Sequence, residues 1–184
     1  MVFGLLTPDY GIMELSGKKV LIFAADEYED LELWYPKLRL TEAGAKVTVA
    51  GLGEKVYKGR KGYPVEVDTD VSQCRAADFD AVVIPGGFAP DRLRRSEQVL
   101  TIVRDAFETG KVVAAICHAG WVPVSAGIVK GKRMTCVSAI KDDVKNAGAE
   151  YVDQPVVVDG NLITSRVPAD LPDFCREIIK ALAK

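Results

Sequence analysis

Histidine is nearly absent from this sequence: His118 is the only one in 184 residues. Any chemistry that needs an imidazole must use it, and a histidine-rich metal site has no material to be built from. Cysteine is scarce and scattered. Cys74, Cys117, Cys136 and Cys175 stand far apart, with no C-x-x-C pair. That spacing excludes the disulfide framework of a small secreted domain and points to reduced thiols in a cytoplasmic protein. Lysine and arginine form no block: 24 basic side chains face 26 acidic ones, for a net charge of −2, which argues against nucleic acid as the main partner. No apolar run approaches the roughly 18 residues that would cross a membrane. Met1 to Leu6 lacks a basic region and soon meets Pro8 and Asp9, so no secretory signal is read there. Internal repeats and low-complexity segments are also missing. Neither a metal nor a cofactor is expected.

What is present is the pattern of one α/β domain over residues 17–184, preceded by an arm over residues 1–16 without clear periodicity. The arm reads either as loosely held or as packing on a neighbouring subunit. Short apolar runs recur along the chain: Val20–Ala25, Lys46–Gly51, Asp80–Ile84 and Val112–Ile116. Helical patterns separate them, over about 26–43, 97–109 and 173–182, so a mostly parallel, doubly wound sheet is expected. Further expectations are a hairpin within Gly53–Asp68, a short helix over Asp70–Ala77, a strand over Lys132–Val137 and a helix over Ile140–Ala147. A second hairpin turns at Asp159-Gly160-Asn161.

One stretch organises the rest. Val112 to Ile116 is a buried strand that ends on Cys117, His118, Ala119 and Gly120, after which the pattern turns helical. A strand that stops on a nucleophile and bends sharply into a helix is a nucleophile elbow. Small residues let the turn close, and the new helix aims its N-terminus at the sulfur, favouring thiolate. Open α/β sheets place their sites at this edge. Pro85-Gly86-Gly87 after the third strand allows close backbone approach at the same edge. The acidic run from Asp26 to Glu32 opens the first helix. It suits the helix dipole and also offers a carboxylate to the crevice.

Taken in order, Glu29, Pro85-Gly86-Gly87-Phe88-Ala89-Pro90-Asp91, Ala115-Ile116-Cys117-His118, Ile140-Lys141-Asp142-Asp143, Val157-Val158-Asp159-Gly160-Asn161 and Ser165-Arg166-Val167-Pro168-Ala169-Asp170-Leu171 resemble the PfpI intracellular protease family. That family lies within the class I glutamine amidotransferase-like superfamily, which also holds the parkinsonism-linked human protein. The resemblance implies a flavodoxin-like three-layer sandwich. It implies Cys117 as nucleophile with His118 as its partner, and Glu29 as the acid that hydrogen-bonds the thiol. It implies the backbone N–H groups of Gly87 and His118 as an oxyanion hole. Asp91 would orient His118 from a neighbouring subunit of a dimer or hexamer. The function implied is a cysteine peptidase or amidase. Alternatives are a deglycase or glyoxalase III acting on methylglyoxal and its protein adducts, and a non-enzymatic stress sensor or chaperone that uses Cys117. Substrates would be peptides or small carbonyl compounds. Two departures stand out: Ala119-Gly120-Trp121 replaces the usual Gly-Pro after the Cys-His pair, and the N-terminus is extended.

Overall fold

A computed structural model describes residues 14–184. In chain order the elements are β1 (Lys19–Phe23), α1 (Asp30–Glu42), β2 (Lys46–Gly51), β3 (Val56–Lys58), β4 (Pro64–Glu66), β5 (Thr69–Asp70), β6 (Ala81–Ile84), α2 (Ala89–Leu93), α3 (Glu97–Glu108), β7 (Val112–Ile116), α4 (Trp121–Ser125), β8 (Arg133–Met134), α5 (Lys141–Asn146), β9 (Glu150–Tyr151), β10 (Val156–Asp159), β11 (Leu162–Ser165) and α6 (Leu171–Leu182). Among the described residues seven strands form one sheet in the order β10-β11-β7-β6-β1-β2-β5. Every pairing in it is parallel except β10 with β11.

The central strands are continuous apolar runs because both faces of the sheet are covered. Val20 to Phe23 of β1, all of β6 and all of β7 are buried. From β1 the chain steps one way to β2 and later the other way to β6. Right-handed crossovers therefore place α1 on one face and α3 on the other. α6 packs beside α1 and against β7 and β11, while α2 and α4 lie with α3. The result is a flavodoxin-like three-layer sandwich. The carboxyl ends of β1, β6 and β7 lie side by side in register, with Ile22 opposite Val83 and Ile84 opposite Ala115. The order reverses between β1 and β6, and a crevice opens at such a switch point.

Several elements differ from the sequence expectation. The stretch after Asp70 forms two 3-10 turns, Val71–Gln73 and Ala76–Asp78, instead of a helix; Asp70 caps the first by accepting from Ser72 N at 2.8 Å. The expected strand over Lys132–Val137 shortens to β8, which pairs with β9 outside the main sheet. Its continuation is spoken for elsewhere: Thr135 N donates to Thr164 Oγ1 at 2.9 Å, and Val137 N to the Cys117 carbonyl at 3.5 Å. α6 starts at Leu171, not Asp173, because Pro172 fits a first helical turn, where a missing N–H costs nothing. The arm over residues 1–16 lies outside the described residues up to residue 13. At its end Leu15 is buried and donates its N–H to Ala43 O at 2.8 Å.

Candidate active site

Cys117 sits at the carboxyl end of β7 with φ +63°, a left-handed conformation that a non-glycine residue rarely adopts. The chain forces it there: Ile116 is still extended, and a 3-10 turn from Cys117 to Gly120 runs straight into α4. The small residues are a packing requirement. A Cβ on Gly120 would lie 3.1 Å from Ile140 Cδ1 and 3.4 Å from Cys136 Cβ. The expected elbow is therefore present in geometry. Trp121, the departure from the family pattern, lies beside His118 with ring centroids 5.4 Å apart, and its indole N–H donates to Asp143 Oδ2 at 2.7 Å.

The Gly86-Gly87 turn after β6 faces the elbow. A Cβ on Gly86 would approach Cys117 Cβ to 2.7 Å and would also collide with the Glu32 carboxyl. Gly87 has φ +76°, and a Cβ there would run into the Tyr28–Glu29 backbone. Gly87→Ala is expected to destabilise the fold by about 2 kcal/mol or more, since strain and collision act together. Urea unfolding measures this directly. A loss below about 0.5 kcal/mol would mean that the turn has another conformation open to it.

The acid at the thiol is Glu32, and this corrects the expectation for Glu29. Glu29 is the N-cap of α1, with extended dihedrals, and its Oε2 accepts from Glu32 N at 2.9 Å. The helix proper begins one residue later, so its first turn carries Glu32 inward. Glu32 is fully buried, accepts from Gly86 N at 2.8 Å and faces the Cys117 thiol. Its Oε1 is buried without a hydrogen-bond partner. A sequence signal existed: Glu32, Pro36 and Leu40, spaced by four, fall on the buried face of α1.

Burial, reinforced by the Glu29 carboxylate, pushes Glu32 up to about 8. Burial and a charged Glu32 push the Cys117 thiol up to about 12, opposed by the N–H groups of His118 and Gly87, which point at the sulfur. The expected thiolate preference of the helix N-terminus is thus outweighed whenever Glu32 is ionised. Two negative charges in one buried site repel, so the pair releases its first proton only near pH 8 and holds the other above that. Thiolate forms when that proton resides on Glu32. The same two N–H groups are placed to hold a developing oxyanion.

His118 Nδ1 lies 3.4 Å from Cys117 Sγ. Burial first, then the positive charge of Arg60, lower the His118 pKa, so the imidazole is neutral at pH 7. That shift disfavours a thiolate–imidazolium pair. Asp91 is not brought to it within this chain. Asp91 is exposed in the first turn of α2, where it pairs with Arg95 at 3.1 Å. α2 begins at Ala89 with Phe88 at its N-cap, so Asp91 lies inside the helix and does not cap it.

The chain as a whole has counterparts among known proteins. Residues 18–181 match the DJ-1/PfpI family. The chain belongs to that family. Among DJ-1/PfpI proteins, a deglycase of Pyrococcus horikoshii is 47% identical over 89% of this chain and 99% of its own length. The protein/nucleic acid deglycase 2 of Escherichia coli is 43% identical over 90% of this chain and 98% of its own. The crystal structure of Drosophila melanogaster DJ-1beta superposes with a TM-score of 0.85 at 36% identity, covering 90% of each chain. Sequence reasoning placed Cys117, His118 and Gly87 in one site. It missed Glu32, Gly86 as a donor to Glu32, and Arg60. Among the described residues no helix is long and apolar enough to cross a membrane, and no three His, Cys, Asp or Glu side chains are grouped to hold a metal ion.

Proposed function

We propose that this DJ-1/PfpI protein is a thiol-dependent deglycase of amines modified by α-oxoaldehydes such as methylglyoxal. Overall, the adduct takes up one water and yields the free amine and a 2-hydroxy acid. The change is redox-neutral: the former aldehyde carbon is oxidised while the neighbouring ketone carbon is reduced. That exchange needs a proton carried from one carbon to the other. The observation that carries this reading is Glu32, a buried carboxyl held near pKa 8 beside the nucleophile. Cys117 displaces the amine at the former aldehyde carbon, the C–S bond forming as the C–N bond breaks and Glu32 protonating the leaving amine. Glu32 then carries the proton from that carbon to its neighbour while the N–H groups of Gly87 and His118 hold the oxyanion, and water hydrolyses the resulting thioester to free Cys117 and the 2-hydroxy acid. Relatives named deglycases, nearly full-length matches, support the same chemistry. A reducing, cytoplasmic setting suits a reaction that needs Cys117 free.

A second reading, the peptidase or amidase, is favoured by the Cys117–His118 approach at 3.4 Å. It requires an external group to orient a neutral imidazole, and Asp91 of a second copy in a dimer or hexamer is the candidate. One panel separates the two: purified protein against methylglyoxal-modified Nα-acetyl-lysine and against fluorogenic peptides. The expected result is release of lactate and free amine in equal amounts. Peptide cleavage without lactate, restored on mixing Cys117→Ser with Asp91→Ala subunits, would establish the peptidase instead.

A further inference from the structure

We propose that Arg60 is an anion-binding residue of the Cys117 site, which selects carbonyl compounds and adducts that carry a carboxylate or a phosphate. The substrate class rests on the deglycase reading; the anion site itself does not.

Arg60 lies in the loop of the β3–β4 hairpin, and that loop is pinned over the site. Arg60 N donates to Tyr28 O at 2.9 Å, and Glu27 N to Lys58 O at 2.8 Å. The Asp30 carboxylate accepts from Lys61 N at 2.9 Å and Tyr63 N at 3.1 Å, and Asp26 accepts from Lys58 N at 3.0 Å. The guanidinium rests 4.9 Å from the centroid of the Phe88 ring, which is 50% exposed. The Phe88 ring in turn lies 6.5 Å from that of His118, tilted by 32°. Arg60, Phe88, His118 and Cys117 thus stand in a row along the mouth of the crevice.

Among the described residues Arg60 forms no ion pair. The carboxylates around it are committed elsewhere: Asp30 to the hairpin N–H groups, Glu29 to the cap of α1, Glu32 to Gly86. A guanidinium stacked on an exposed ring, with its donor fork unmatched, is suited to bidentate binding of carboxylate or phosphate. Its charge already reaches the reacting groups, acting on both His118 and Glu32. Arg94 differs. It stacks on Trp121 at 5.4 Å, but its Nε is engaged with Ser125 Oγ at 2.9 Å, and it perturbs neither His118 nor Glu32.

The test compares alkylation of Cys117 by iodoacetate and by iodoacetamide, equal in size and different in charge. In both, the thiolate displaces iodide as the C–S bond forms and the C–I bond breaks. At low salt the iodoacetate-to-iodoacetamide rate ratio is expected to fall about three- to tenfold in Arg60→Gln, to be largely kept in Arg60→Lys, and to change less than about twofold in Arg94→Gln. The advantage should fade at high ionic strength. An equal ratio in wild type and Arg60→Gln, or an equal fall in Arg94→Gln, overturns the proposal. Turnover then identifies the anion. Methylglyoxal adducts of O-phosphoethanolamine against ethanolamine test phosphate, and those of Nα-acetyl-lysine against its amide test carboxylate. An intact alkylation effect with no adduct turned over would leave the anion site standing and defeat the deglycase reading.

Discussion

Replacing Cys117 by serine is expected to lower adduct turnover by on the order of 10³-fold or more while leaving the fold intact. The two side chains are nearly isosteric, and the serine hydroxyl keeps the buried position facing Glu32 and the N–H groups of Gly87 and His118. What is lost is the nucleophile: a hydroxyl in this site cannot ionise by transfer of one proton to Glu32, whereas a thiol can. The same logic makes Cys117 the first thiol to alkylate in native protein. Cys74, Cys136 and Cys175 are each at most 2% exposed, and burial pushes Cys136 and Cys175 up to about 12. Cys117 is also raised, but it alone has an acid beside it that can be neutral at pH 7. Mass mapping of the first alkylated residue checks this, alongside unfolding curves for Cys117→Ser. Turnover by the serine variant within tenfold of wild type, or Cys136 alkylating first, would remove Cys117 from its role.

Changing Glu32 should have the next largest effect, and the direction depends on what replaces it. Glutamine mimics the protonated acid: one amide atom accepts from Gly86 N while the other donates toward the sulfur. Glu32→Gln should therefore keep thiol reactivity within about tenfold of wild type while lowering turnover about 10²-fold, because it cannot move a proton. Glu32→Leu should lose both. It also leaves the Gly86 N–H buried without a partner, which costs about 1–3 kcal/mol of stability.

A pH readout separates a chemical role from a structural one. Glu32 has a folded pKa raised from 4.5 to about 8, so between those values the folded state binds more protons than the unfolded state. Its contribution to stability is therefore fully present below about pH 4.5 and falls as pH rises through about 8. Wild type should lose stability relative to Glu32→Gln across that window, by up to a few kcal/mol. Parallel stability–pH curves for the two proteins would show that Glu32 is not held protonated.

Much of this protein was determined by local sequence. Runs such as Val20–Ala25 and Val112–Ile116 are too short and too apolar for anything but strands buried on both faces, and helical stretches between them require parallel crossovers. The elbow was equally legible, because a strand end, a nucleophile and small residues are consecutive. Gly87 was legible too, as a glycine where positive φ is needed.

The rest was decided by tertiary structure, for a physical reason in each case. Which acid meets the thiol depended on where α1 starts. The helix begins at Asp30, so Glu29 remains extended at its N-cap while Glu32, in the first turn, is carried into the core. The Gly86–Glu32 bond joins residues 54 apart in sequence, and no periodicity reports such a closure. Arg60 reaches the site only because Tyr28 and Asp30 bind the hairpin loop across the crevice. Asp91 follows the glycine turn directly in sequence, yet the first turn of α2 directs it to Arg95 and not to His118. The proton shared by Glu32 and Cys117 likewise has no sequence signature, because it follows from burial and proximity, which exist only once the chain has folded.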